Sequence, residues 1–154
     1  MGNTTESVDV NVDVTTAYNQ WTQFESFPQF MDGVDEIRQL DATHTHWVTS
    51  IGGVKREFDA TITEQHPDER VAWTTENGPT HAGVVTFHRL GDNETRVTAQ
   101  MDIDPEGFAE NVADKTGVIS RRVKADMARF KEFIESRGGQ ETGAWRGDVA
   151  RPDA

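Results

Sequence analysis

Hydrophobic and polar residues alternate near the N-terminus and then change to helical spacing. Val8, Val10, Val12 and Val14 alternate with polar residues, the period of two that is typical of a half-buried strand. Helical spacing follows, with Thr15 and Thr16 as possible caps, over the apolar residues Ala17, Tyr18, Trp21 and Phe24. Residues 27–31, with Pro28 in the first turn, indicate a second short helix that ends at Gly33.

The middle of the chain has the pattern of six further strands. They are predicted at residues 37–40, 45–51, 54–64, 71–75, 82–90 and 95–103, and turn-forming residues such as Gly52-Gly53 and Asn77-Gly78-Pro79 separate them. Parallel strands need long crossover connections, whereas these connections are short. The pattern therefore predicts an antiparallel meander.

Residues 107–137 contain no proline and carry one apolar stripe, which predicts a long amphipathic helix. The stripe consists of Phe108, Val112, Ile119, Val123, Met127, Phe130 and Ile134, and Gly138-Gly139 ends the helix. Only this helix is large enough to cover the apolar face of the sheet. We therefore predict an α+β domain over residues 1–137: a curved seven-stranded antiparallel sheet wrapped around the C-terminal helix. Two short helices lie between the first and second strands, space remains inside, and a polar tail spans residues 138–154.

The composition of the chain argues against several classes of site and of function. The chain has 154 residues and no cysteine, which excludes disulfides, thiolate metal sites and a cysteine nucleophile. Its net charge of −12 argues against nucleic-acid binding and against attraction to anionic lipids. No apolar run is long enough to cross a bilayer and no secretory signal is visible, so we expect a cytoplasmic protein without stable membrane insertion.

Basic residues are concentrated in the predicted C-terminal helix. Residues 115–137 contain seven basic and three acidic side chains, whereas the first 114 residues contain six basic and 21 acidic ones. Cations near the end of a helix complement its dipole, and this interpretation is favoured. An anion-binding role for the same cations is the alternative.

Four segments resemble the START-like (SRPBCC) superfamily, and within it the polyketide cyclase/dehydrase and lipid transport family. They lie at residues 27–34, 68–73, 83–87 and 129–135, and residues 141–147 are similar to the tail of a bacterial subgroup. The resemblance covers residues 7–137. It implies a helix-grip fold with a cavity for hydrophobic ligands under the long helix, and only some members of the family are enzymes.

Strand alternation predicts which side chains face this cavity. The predicted lining comprises Phe30, Met31, Arg56, Phe58, Ala60, Trp73, Val85, Phe87, Met101, Val112, Ile119 and Met127. Most of these residues are ordinary core residues, but Arg56 is a cation on an apolar face. It either extends to the rim or pairs with a polar ligand group or a buried carboxylate.

Few residues are candidates for a catalytic role or for binding a metal. Arg56, His46 and His81 are the candidate catalytic residues, with Tyr18 as a further polar group. His81 directly precedes the predicted strand at residues 82–90, and we expect it at the cavity mouth as an acid–base group. His44 and His46 share one face of a strand, but no third ligand is evident, so we predict no metal and no cofactor and favour a rim or surface position for both. The standard nucleophile, metalloprotease and nucleotide-binding motifs do not occur in the sequence.

Three functions are compatible with this pattern. We favour non-catalytic binding or transport of a lipid-like or polycyclic molecule by a monomer or homodimer, because the predicted cavity is largely apolar. The alternative is a polyketide aromatase/cyclase or dehydratase, which needs acid and base groups inside the cavity. A third possibility is a protein-interaction module that uses the acidic sheet face and the tail around Trp145.

Overall fold

Seven strands form one antiparallel sheet. The computed structural model describes residues 3–51, 54–76, 80–103, 115–138 and 140–143. The strands are β1 (Asn3–Val10), β2 (Val34–Gln39), β3 (His44–Ile51), β4 (Val54–His66), β5 (Arg70–Thr75), β6 (His81–Gly91) and β7 (Glu94–Ile103). Their order is β1-β7-β6-β5-β4-β3-β2. The predicted meander from β2 to β7 is confirmed, and β1 joins its far edge beside β7.

The first strand is shorter at its C-terminal end than the valine alternation predicts. β1 pairs with β7 as far as Val10, and the first helix, α1 (Val14–Trp21), already includes Val14. Asp13 has extended backbone and precedes the first turn, and Thr16 Oγ1 donates a hydrogen bond to its carboxylate. Val12 is nevertheless buried. The alternation therefore predicts the burial of Val12 correctly, although strand pairing stops at Val10.

The second short helix is a 3₁₀ helix over Phe24–Gln29, which begins earlier and ends earlier than predicted. It packs against β2 at the edge of the sheet. Phe24 and Phe27 are buried, as are Trp21 before it and Phe30 after it. The rings of Trp21 and Phe27 lie 5.1 Å apart, centre to centre, in an edge-to-face arrangement. This segment therefore projects large aromatic side chains into the space between sheet and helix.

The C-terminal helix, α2 (Lys115–Ser136), packs against β1 and β7. The predicted stripe is buried at Ile119, Val123, Met127, Phe130 and Ile134. Phe108 and Val112 lie outside the described residues. The helix ends as predicted: Gly138 has a φ of +69°, a left-handed conformation that glycine adopts without steric cost.

The chain beyond α2 returns to α1. Thr142 N donates to Gln20 Oε1 at 2.9 Å, and Gln20 Nε2 donates to Thr142 Oγ1 at 3.1 Å. Gln20 is fully buried, so this pair of hydrogen bonds satisfies an amide that would otherwise be costly to bury. Trp145, in the predicted polar tail, lies outside the described residues.

Candidate ligand-binding interior

The predicted cavity residues lie together between the sheet and α2. Ten of them belong to one buried apolar cluster: Phe30, Met31, Phe58, Ala60, Trp73, Val85, Phe87, Met101, Ile119 and Met127. Arg56 is half-buried, and Val112 lies outside the described residues. Strand alternation therefore placed these strand side chains in one interior.

Aromatic rings occupy much of this interior. Trp47 is stacked with Phe58 and with Trp73, with ring centres 5.6 and 5.7 Å apart. Trp73 lies over β6 at Gly83, where a Cβ atom would be only 2.6 Å from the indole ring. A residue other than glycine at position 83 would therefore push this indole out of place.

Among the described residues, two small spaces lie under α2. The first has a volume of about 20 Å³ and is lined by Met31, Gly33, Val34, His81, Met101, Ile103, Ile119, Arg122, Val123 and Asp126. The second, of about 10 Å³, is lined by Trp21, Met31, Ala99, Met101, Val123, Asp126 and Met127. Each is at most large enough for a single water molecule. The predicted container is therefore nearly filled in the described part of the chain, because the aromatic residues of α1 and the 3₁₀ helix point into it.

His81 is the candidate catalytic residue that lies in this interior. The prediction placed it at the cavity mouth, but the side chain is almost completely buried. Its ring centre is 5.0 Å from that of Trp47 and 5.3 Å from that of Phe58. Burial lowers the pKa of His81 to about 4, because a charged imidazolium loses its hydration there. The imidazole is therefore neutral at pH 7.

Asp126 lines both spaces and was missed in the sequence. Its Oδ1 accepts hydrogen bonds from Asp32 N, at 3.1 Å, and from the Arg129 guanidinium. Burial raises the pKa of its carboxyl group, and these two partners act in the opposite direction. The missed signal was its position: Asp126 lies three residues after Val123 and four before Phe130, within the apolar stripe of the helix.

His46 lies on the other face of the sheet from these residues and lines neither of the two small spaces. It is adjacent to the inward-facing Trp47, and neighbouring strand residues point to opposite faces. Its Nδ1 is 2.7 Å from Asp59 Oδ1 and its Nε2 is 3.2 Å from Glu57 Oε1. Hydrogen bonds to Asp59 and then Glu57 raise the pKa of His46. It therefore belongs to an outer cluster of ion pairs.

The other two polar candidates lie apart from the two small spaces. Arg56 pairs with Thr49 across β3 and β4, and it is not among the described residues that line either space. Tyr18 is fully buried and its ring meets Phe87 edge-to-face at 5.5 Å. His81 and Asp126 therefore line the first space together with Met31 and Met101, whereas Arg56 and Tyr18 line neither space.

A larger groove lies on the surface, where the 3₁₀ helix meets the turn between β2 and β3. It has a volume of about 500 Å³ and is lined by Thr22, Gln23, Phe24, Glu25, Ser26, Gln39, Asp41, Ala42, Gln65 and Thr142. Eight of these ten residues are polar, which does not suit a hydrophobic ligand. The candidate site is therefore the interior under α2.

Two further properties of the described residues bear on the site. No group of three or more histidine, aspartate or glutamate side chains in this part of the chain is arranged to hold a metal ion. None of the described helices is long and apolar enough to cross a membrane.

Sequence comparison gives a family match and a close relative. The model of the family described as polyketide cyclase / dehydrase and lipid transport matches residues 10–132. The chain is also 61% identical over 150 residues to an uncharacterized 17.2 kDa protein from the melC2-rnhH intergenic region of Streptomyces lincolnensis. That alignment covers 97% of this chain and 99% of the relative.

Solved structures share the fold at low sequence identity. A START superfamily protein from Mycobacterium smegmatis superposes with a TM-score of 0.65 at 14% identity, covering 85% of this chain and 98% of the other. The Zhui aromatase/cyclase from Streptomyces sp. R1128 superposes with a TM-score of 0.70 at 9% identity, covering 88% and 94%. Similarity at this level of identity supports the helix-grip fold and no particular activity.

Proposed function

Because the chain belongs to the polyketide cyclase/dehydrase and lipid transport family, we propose that it binds a hydrophobic small molecule between the sheet and α2 without transforming it. The observation that carries this proposal is the apolar interior, in which Met31 and Met101 line both small spaces. Methionine side chains are unbranched and change rotamer easily, so they are suited to fill a site that opens for a ligand. In this proposal the ligand displaces these methionine side chains on entry.

An unsatisfied polar atom in the interior supports a ligand with an acceptor group. The indole Nε1 of Trp21, which lines the second space, is buried and donates to no described residue. A buried donor without an acceptor costs about 1–3 kcal/mol. A carbonyl or ether oxygen on the bound molecule would offset that cost.

The alternative is a cyclase or dehydratase, and one observation favours it. His81 and Asp126 line the same space, so an imidazole and a carboxylate would both face a bound molecule. A histidine with a pKa of about 4 is, however, a weaker base than an ordinary imidazole. We therefore favour ligand binding over catalysis as the function.

Quenching of tryptophan fluorescence by 10-bromo-1-decanol tests the proposal. The bromine quenches only indoles that it contacts, and Trp21 and Trp73 lie in the interior. We expect saturable quenching with one site per chain, weakened by Val123→Phe, because Val123 lines both spaces. Lys124→Gln, at the neighbouring exposed position, is the matched control.

The outcomes separate the alternatives. No saturable quenching would refute ligand binding in the interior, and quenching that is unchanged in a folded Val123→Phe variant would place the ligand elsewhere. Turnover of a poly-β-ketone that is lost in His81→Gln and in Asp126→Asn would establish the enzymatic alternative instead.

A further inference from the structure

Three arginines surround a depression on the outer side of α2. The depression has a volume of about 280 Å³ and is lined by Asp32, Arg121, Arg122, Ala125 and Arg129. Asp32 is the only acidic residue among these lining residues, although the chain as a whole has a net charge of −12. The depression therefore carries more positive than negative charge on an acidic protein, with Asp126, which Arg129 contacts, as the second carboxylate beside it.

The helix dipole does not account for these arginines. Favourable interaction with the dipole is confined to the last turn of a helix, and the last turn of α2 contains no basic residue. Arg121, Arg122 and Arg129 lie in its interior turns instead. The anion-binding alternative, which the sequence left open, therefore gains support.

The guanidinium groups retain donors for an anion. Arg122 Nη1 donates to Asp32 Oδ2 at 2.9 Å, and its Nε is buried and donates to no described residue. Arg129 donates through Nε to Phe30 O at 3.2 Å and through Nη2 to Asp126. Each guanidinium carries five N–H groups in a planar fork that matches carboxylate and phosphate oxygens. These contacts therefore leave N–H groups of Arg122 and Arg129 available.

Arg122 also connects the depression to the interior. It lines the space of about 20 Å³ under α2 as well as the outer depression. A molecule with its apolar part under α2 would thus have the Arg122 guanidinium beside it, where the interior meets the surface. We propose, on the basis of the proposed binding function, that the ligand is an anionic amphiphile whose carboxylate or phosphate group lies in the arginine depression.

Calorimetric titration with three probes tests this assignment: decanoate, 1-decanol and inorganic phosphate at pH 8. The two decyl probes share an apolar chain and differ in charge, whereas phosphate has the charge alone. We expect the full-length protein to bind decanoate at least about tenfold more tightly than 1-decanol, the effect of a hydrogen bond to a charged group. Arg122→Gln should abolish that preference, so that the two decyl probes bind the variant with equal affinity.

Control variants keep the test interpretable. Arg121→Gln is the second variant in case Arg122→Gln fails to fold, because Arg121 is exposed. Lys124→Gln removes an equal charge from the same helix outside the depression, and it should keep the preference for decanoate.

Each contrary result has a distinct meaning. Equal affinity for decanoate and 1-decanol would overturn the anionic ligand and leave the proposed binding function standing. Absence of binding by both decyl probes would refute the proposed function together with this inference. Binding of phosphate, with decanoate affinity unaffected by either arginine variant, would show an anion site separate from the interior and would also overturn the proposal.

Discussion

Acidification should destabilise the protein through His81. The unfolded histidine takes up a proton below its ordinary pKa of 6.5, whereas the buried residue does so only near its lowered pKa of about 4. Between these values the unfolded state binds more protons, so the free energy of unfolding falls as the pH falls. At about 1.4 kcal/mol per pH unit, the loss is about 2 kcal/mol by pH 5 and about 3 kcal/mol by pH 4. This is a large fraction of the about 5–15 kcal/mol that stabilises a typical domain.

Urea unfolding at pH 7, 6, 5 and 4, followed by tryptophan fluorescence, measures this loss. Other groups titrate in the same range, and burial of Asp126 acts with the opposite sign because it raises that pKa. The comparison is therefore between wild type and His81→Phe, which retains a ring against Trp47. The stability difference between the two should shift by about 3 kcal/mol from pH 7 to pH 4 in favour of the variant. Val85→Ala, a buried apolar change in the same strand, should lower stability equally at every pH. If wild type and His81→Phe lose stability in parallel, His81 is not buried in its neutral form.

Three further perturbations follow from the same contacts. Asp126→Leu leaves Asp32 N and the Arg129 guanidinium without their acceptor and should cost about 2–3 kcal/mol in urea unfolding, whereas Asp126→Asn, which keeps an oxygen, should cost less. Phe130→Ala removes a fully buried ring and should cost about 3–5 kcal/mol, and normal stability would contradict its place in the core. The raised pKa of His46 predicts stability that is present below its unfolded pKa of 6.5 and is lost as the pH rises through its higher folded value. His46→Gln should remove that loss, and identical pH profiles of stability for the two proteins would refute the prediction.

The sheet was predictable because turn residues and alternation act locally. The predicted strand at residues 71–75, for example, differs from β5 by one residue, since turn-forming residues flank it in the sequence. The interior volume was not predictable in this way. It depends on how far Trp21, Phe24, Phe27 and Phe30 reach across the domain, which is a property of tertiary packing and of no single segment.

In the candidate site, too, some features are predictable from local sequence and others depend on tertiary packing. Alternation next to Trp47 contains enough information to exclude His46 from the interior, because two neighbouring strand residues cannot both point inward. His81 was identified from its place at the start of a strand, but its burial and lowered pKa come from rings contributed by β3 and β4. A residue type can thus be predicted from sequence, whereas its protonation state requires the surrounding fold.

One stretch of α2 combines two roles that the apolar stripe alone does not reveal. Arg122, Asp126 and Arg129 lie three to four residues apart, and all three form hydrogen bonds to the chain at residues 30–32. Two of them, Arg122 and Asp126, also line the interior space. The groups that attach the helix to the edge of the sheet are therefore the groups that a bound molecule would meet. A ligand that competes for Arg122 or Asp126 would also weaken this attachment, so binding and the position of α2 are coupled in the proposed mechanism.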